Sequence, residues 1–171
     1  MTTPLILLFC FILIQRFAEL ILAQRNRKWM MERGAYEEGE THYKWFIIVH
    51  GLFFFSLLVE AWVTPTVTTA ATILFFLAFV LLQAFRVWCI ASLGRCWNTR
   101  IIILPNHPIV SKGPYKYIKH PNYWLVLLEF IVIPLLFGAY MTAVLFPVLH
   151  LILMKIRIPA EEKALENAQN V

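Results

Sequence analysis

Residues 4–23, 43–63, 66–91 and 123–158 are apolar runs, and their lengths constrain this chain more than any other feature. A helix needs about 20 mostly apolar residues to cross a bilayer. Each of the first three runs supplies one crossing. The last is long enough for two, with Pro134 and Gly138 placed to turn the chain near its middle. Five spans result, the last two a tight hairpin of short halves. Composition agrees: 60% of the residues are hydrophobic and the mean hydropathy is +0.70, above the roughly half-apolar content of soluble domains. The predicted fold class is an all-α polytopic membrane protein. No repeat or linker divides the chain, so residues 1–171 read as one domain. The first run contains Arg16 and Glu19 and lacks a basic leader and a small-residue cleavage pattern, so it reads as a retained span.

The net charge of +5 is compatible with nucleic-acid binding, but the positions of the charges are not. Arg25, Arg27, Lys28, Arg33 and Lys44 flank spans one and two; Arg95, Arg100, Lys112, Lys116 and Lys119 lie between three and four; Lys155, Arg157 and Lys163 follow five. Five crossings put all three groups on one side, and the N-terminus, the turn at Thr64 and Pro65 and the turn at Gly138 carry no Lys or Arg. The positive-inside rule then predicts cytoplasmic loops and an outward N-terminus. Cys10, Cys89 and Cys96 are dispersed, which argues against a disulfide framework or a zinc site, and no metal is expected.

The polar segments differ in kind. Residues 24–42 mix Glu32, Glu37, Glu38 and Glu40 with basic residues and read as a solvated connection at the headgroups. Residues 92–120, with Trp97, the run Ile101-Ile102-Ile103 and the breakers Pro105, Pro108, Gly113 and Pro114, read as an ordered, non-helical segment lying across the helix ends. Beyond Pro159 a short polar helix is expected, with Glu161 and Glu162 in its first turn. Residues 111–123 pack two prolines, a glycine, three tyrosines, three lysines and a histidine into thirteen positions. A lipid-facing helix has no use for that composition, so something polar is held there.

Charges inside the spans are costly and face a cavity or a partner. Arg16 and Glu19 are spaced to neutralise each other, and Arg86 is placed either to snorkel to an interface or to contact a ligand. Glu129 lies too deep in the fourth span to reach water and shares a helical face with Asn122. His150, Met154, Arg157 and Glu161 form one helical stripe if Pro159 bends the axis only slightly; a lone interior His150 reads as structural.

The block Gly113-Pro114-Tyr115-x-Tyr117-x-Lys119-His120-Pro121-x-Tyr123 resembles the G-P-Y-x-x-x-R-H-P-x-Y block of the isoprenylcysteine carboxyl methyltransferase family. Leu93-Gly94-Arg95-Cys96-Trp97, Glu129, and Arg157 followed by Glu161-Glu162 extend the likeness, which covers most of the chain and is most specific over residues 93–165. Arg16-x-x-Glu19 and Arg25-Asn26 resemble the short bacterial branch, implying a multi-pass protein of a bacterial plasma membrane. The departures are Lys119 in place of Arg, which loses the bidentate fork, and Pro159 before the Glu pair.

The resemblance implies S-adenosylmethionine as methyl donor. It assigns the donor's grip to Tyr115, Tyr117, Lys119, His120, Pro121, Tyr123, Glu129, Glu161 and Glu162, and the chemistry to Arg157 and Glu129, with Arg16, Arg86 and Arg157 toward the acceptor. Aromatic faces suit an adenine and a sulfonium, and the helix start at His120-Pro121 suits a carboxylate. No G-x-G-x-x-G follows a soluble strand, so a Rossmann methyltransferase domain is excluded. The implied acceptor is lipophilic, either a prenylcysteine-type carboxylate or, from the bacterial branch, an alkylpyrone-like polyketide lipid. A phospholipid N-methyltransferase and a non-enzymatic membrane scaffold are the competing readings.

Overall fold

The computed structural model of the protein describes residues 1–64, 70–105 and 107–169. Five helices carry the architecture: α1 Thr3–Met31, α2 Glu40–Val63, α3 Ala70–Leu93, α4 Pro121–Phe137 and α5 Tyr140–Gln169. Four are long and apolar enough to span a membrane, and α4, of 17 residues, is a shorter apolar helix. At 1.5 Å per residue α4 rises about 26 Å, just under the thickness of a hydrocarbon core. The fold is the all-α polytopic membrane architecture that hydropathy predicts. Pro65 and the start of the third run at residues 66–69 lie outside the described residues.

The helices expose Leu7, Phe11, Ile14, Phe17 and Leu81 on their outer faces and bury Phe53, Leu57, Phe130, Ile133, Phe137 and Phe146 in a shared interior. Lipid tails are as apolar as these side chains, so helix association depends on close fit rather than on hydrophobic transfer. Fit is visible in Phe53, whose ring lies 4.6 Å from Phe130 and 5.4 Å from Phe146, and in the buried small residues Ala61, Ala139 and Ala143. The α4–α5 hairpin turns at Gly138, whose φ of 72° is left-handed, and the Ala139 N–H bonds the Pro134 carbonyl at 2.8 Å. At this end Glu60 of α2 caps α5, accepting from Met141 N–H at 2.8 Å, Thr142 N–H at 2.9 Å and the Thr142 hydroxyl at 2.8 Å.

The opposite end holds the loops, and two expectations change there. Residues 24–42 are largely exposed, as a solvated connection would be, but they are more ordered than one. Helix α1 runs on to Met31, and Tyr36–Glu38 forms strand β1, paired antiparallel with β2, Ile101–Ile103. The cause is electrostatic: Glu37, its side chain only 4% exposed, bonds Arg27 at 3.1 Å and also Arg100. Burial works against the Arg100 charge, but Glu37 outweighs it and holds the guanidinium pKa above its ordinary value.

The separate helix expected after Pro159 is instead the last part of α5, which continues through Pro147 and Pro159. An interior proline costs about 3 kcal/mol in an exposed helix. Here the segment beyond Pro159 is docked: Ala164 is buried against Ile101 and Ile103, with Ala160, Leu165 and Ala168 packed around them. Among the described residues of 92–120, those after Leu93 are non-helical apart from two short 3₁₀ turns, Gly94–Cys96 and Gly113–Lys116. Asn26 anchors the first turn to α1, its amide donating to the Gly94 carbonyl at 3.2 Å and the Trp97 carbonyl at 2.7 Å. Gly113 (φ 54°) holds the second turn so tightly against α3 that a Cβ would lie 2.1 Å from Ser92 Oγ.

Candidate active site

A cavity of about 450 Å³ opens where β2, the loop after it, the start of α4 and the end of α5 converge. Each wall follows from the local folding described above. The docked tail of α5 brings Arg157, Glu161 and Glu162; the Gly113 turn brings Tyr115; the first turn of α4 brings His120, Asn122 and Tyr123.

His120 stacks on Tyr123, ring centroids 5.4 Å apart, and its Nε2–H donates to Glu162 at 3.3 Å, with Nδ1 3.7 Å from Glu161. The Tyr123 hydroxyl donates to Glu161 in a short bond and accepts from Arg157 Nε at 2.9 Å. Arg157, 7% exposed, also donates to the Thr99 carbonyl at 2.7 Å and lies 4.8 Å from the centre of the Phe46 ring. The guanidinium is thus fixed on two sides at the cavity wall. Lys119, 86% exposed, reaches Glu162 at 3.6 Å across the rim.

Three of the lining residues carry a buried polar atom with no hydrogen-bond partner among the described residues: the Tyr115 hydroxyl, Asn122 Oδ1 and Trp97 Nε1. Burial also pushes the Tyr115 phenol well above its ordinary pKa, so it stays a neutral donor. Buried polar groups left unpaired are costly, and all three belong to residues that line the cavity.

The sequence-selected residues divide into two sets. Tyr115, Lys119, His120, Tyr123, Arg157, Glu161 and Glu162 line the cavity. Tyr117 is 77% exposed and Pro121 is buried as the first residue of α4; neither is on the lining. Arg16, Arg86 and Glu129 are elsewhere, in a cluster that joins α1, α3 and α4. Glu129 accepts from Arg16 at 2.9 Å, Arg86 Nε at 2.9 Å and Gln83 at 3.0 Å, while Glu19 accepts from Arg16 at 2.8 Å and Arg86 at 3.0 Å. Gln15 closes it, donating to Gln83 at 2.6 Å and Glu19 at 3.0 Å. Two cations and two anions make the cluster neutral, which is how ionisable groups are tolerated among membrane helices. Glu129 lies six residues beyond Tyr123, about 9 Å of helix rise from the cavity. His150 is structural, donating from Nε2 to the Tyr123 carbonyl at 3.1 Å.

Thr99 is a contact of Arg157 that motif reading does not single out, and Asn122 is a lining residue singled out only for the helical face it shares with Glu129. Thr99 acts through a backbone carbonyl, which leaves no mark on residue type. Asn122 carries a weak signal, two positions after His120 in the turn that opens α4.

The family model for isoprenylcysteine carboxyl methyltransferases matches residues 74–167, more than half of the chain, including the cavity's α4 residues and all of its α5 residues but Ala168. The chain belongs to the isoprenylcysteine carboxyl methyltransferase family. It is a membrane protein of a methyltransferase family, and the cavity's lining residues other than Met30 and Ala168 fall within the matched segment. YpbQ, an uncharacterized protein of Bacillus subtilis (strain 168), is 41% identical over 160 residues, covering 94% of this chain and 95% of that protein. An uncharacterized protein of Haemophilus influenzae (strain ATCC 51907 / DSM 11121 / KW20 / Rd) is 29% identical over 160 residues, 93% of each chain. No solved structure gives a significant match.

Proposed function

We propose that the protein transfers a methyl group from S-adenosylmethionine to an oxygen of a lipophilic acceptor. The observation that carries this reading is the cavity at the loop end, whose lining brings Tyr115, His120, Asn122 and Tyr123 together with the Glu161-Glu162 carboxylates. Its volume of about 450 Å³ lies in the range of small-molecule sites. Its chemistry also suits the donor: carboxylates for ribose hydroxyls or an adenine amine, aromatic faces for the adenine, and neutral donors for an amino-acid carboxylate. When bound, the donor supplies an electrophilic methyl on a sulfonium.

Glu161, Glu162, Tyr115, His120 and Asn122 hold and orient the donor, with Lys119 at the rim. Tyr123 keeps Glu161 and Arg157 in register. Arg157, held by the Tyr123 hydroxyl and the Thr99 carbonyl, presents positive charge to an acidic acceptor oxygen, which reacts as an anion near neutral pH and needs little acid–base help. The protein's contribution is alignment and exclusion of water. The cluster of Arg16, Arg86 and Glu129 sets the spacing of α1, α3 and α4 around the acceptor's apolar part. In the finer reading the acceptor is an alkylpyrone-like polyketide lipid or a prenylcysteine-type carboxylate. The protein sits in a bacterial plasma membrane, with its N-terminus outside and the cavity facing the cytoplasm.

Lipid extracts from cells with and without the gene test this by mass spectrometry. The reading predicts a pyrone or carboxylate lipid that carries one extra methyl only when the gene is present. A methyl gained on an amine headgroup would replace it with the phospholipid N-methyltransferase, and unchanged lipids together with no methyl transfer in membranes would leave the scaffold.

A further inference from the structure

A second cavity, of about 150 Å³, lies on the other side of residues 98–100, between them and helices α1 and α2. Its wall combines Leu20, Gln24 and Arg27 of α1 with Tyr43 of α2 and with Asn98 and Arg100. Asn98 and Arg100 also line the larger cavity, so one short segment divides the two.

The charge here is unbalanced. Arg27 and Arg100 share a single carboxylate, that of Glu37. Glu37 is buried at 4% side-chain exposure, while the two arginines remain 32% and 33% exposed along the cavity. Two cations on one anion leave one positive charge, in contrast to the neutral cluster around Glu129. A single negative charge would complete the site.

The shape says what carries that charge. Leu20, Gln24 and Arg27 stand at i, i+4 and i+7 on one face of α1 and span about 10 Å of its axis, from a half-exposed apolar residue to the guanidinium. That gradient matches an amphiphile with an anionic head and a hydrocarbon tail; a free anion would have no use for the Leu20 end. A volume of 150 Å³ equals about five waters of liquid, enough for a phosphate group. We propose that this cavity binds the phosphate headgroup of a singly anionic membrane lipid, its acyl chain leaving along Leu20. The site stands independently of the methyl-transfer reading.

The test is the thermal midpoint of the purified full-length protein in a neutral detergent, titrated separately with short-chain phosphatidylglycerol, phosphatidylcholine and inorganic phosphate. Phosphatidylglycerol should raise the midpoint most. Glu37→Gln, which raises the site charge from one to two, should tighten the apparent Kd about fivefold, and Arg27→Gln should weaken it about fivefold. Gln24→Trp, which fills the cavity and leaves the ion triad intact, should abolish the response. An equal response to inorganic phosphate would overturn the lipid assignment. Weaker lipid binding in Glu37→Gln, or an undiminished response in Gln24→Trp, would overturn the site.

Discussion

Arg157 and Tyr123 meet across the α4–α5 hairpin, the Arg157 Nε–H donating to the phenol oxygen of Tyr123 at 2.9 Å while that hydroxyl donates to Glu161. One oxygen therefore ties the Arg157 cation to the Glu161 carboxylate. Tyr123→Phe removes both bonds and keeps the ring that stacks on His120. Leaving buried polar groups unpaired costs about 1–3 kcal/mol. Methyl transfer with radiolabelled donor should fall at least about tenfold, an amount that 1.4 kcal/mol accounts for, while the variant still inserts and folds.

The neutral cluster makes its own prediction. Glu129→Gln leaves Arg16 and Arg86 facing one carboxylate instead of two, and breaking a buried pair costs about 3–5 kcal/mol. Thermal unfolding in detergent should show a large loss. Adding Arg16→Met should recover part of it, because the two residues share one network and their effects are non-additive. Equal and additive losses would show that the pair is uncoupled.

Gly113 resists substitution for two separable reasons. In Gly113→Ala the new Cβ would lie 2.1 Å from Ser92 Oγ and 2.9 Å from Trp88 Nε1, at a φ of 54°. The left-handed backbone costs a non-glycine residue about 1–2 kcal/mol. Limited proteolysis should find the 104–120 loop cleaved faster in this variant. Ser92→Gly in the same chain should slow cleavage part-way, since it relieves the clash but not the backbone strain.

Glu60 supplies a control at the far end of the bundle. Glu60→Gln keeps the shape but loses the charge that caps α5 through Met141 and Thr142. A lost cap is worth about 0.5–2 kcal/mol. The unfolding midpoint should drop modestly, with donor affinity unchanged.

Much of the frame was legible because membrane length and helix period are properties of the sequence itself. The five apolar helices, the Gly138 turn and the stripe of His150, Met154 and Arg157, all buried, follow from counting residues. The crowded block of residues 111–123 stood out because its composition suits no lipid-facing helix, and six of its residues reach the cavity wall. Strand β1 was not legible: three residues, Tyr36-Glu37-Glu38, show no alternation, and their pairing depends on Arg27 and Arg100, the latter 63 positions from Glu37. The run of α5 through Pro159 was hidden because a proline is a local stop signal, here overridden by packing on Ile101 and Ile103. Arg16 with Glu19 could be paired by spacing, but their union with Arg86 and Glu129 comes from three different helices.

The central claim is that the methyl donor binds among the loops at the start of α4, and calorimetric titration with S-adenosylhomocysteine tests it most directly. The wild-type protein and Glu60→Gln should bind with the same affinity, His120→Ala should lose binding, and Glu161→Gln with Glu162→Gln should weaken it at least about tenfold, some 1.4 kcal/mol. Binding that persists unchanged in both site variants, or no binding by a folded wild-type protein, would contradict the account.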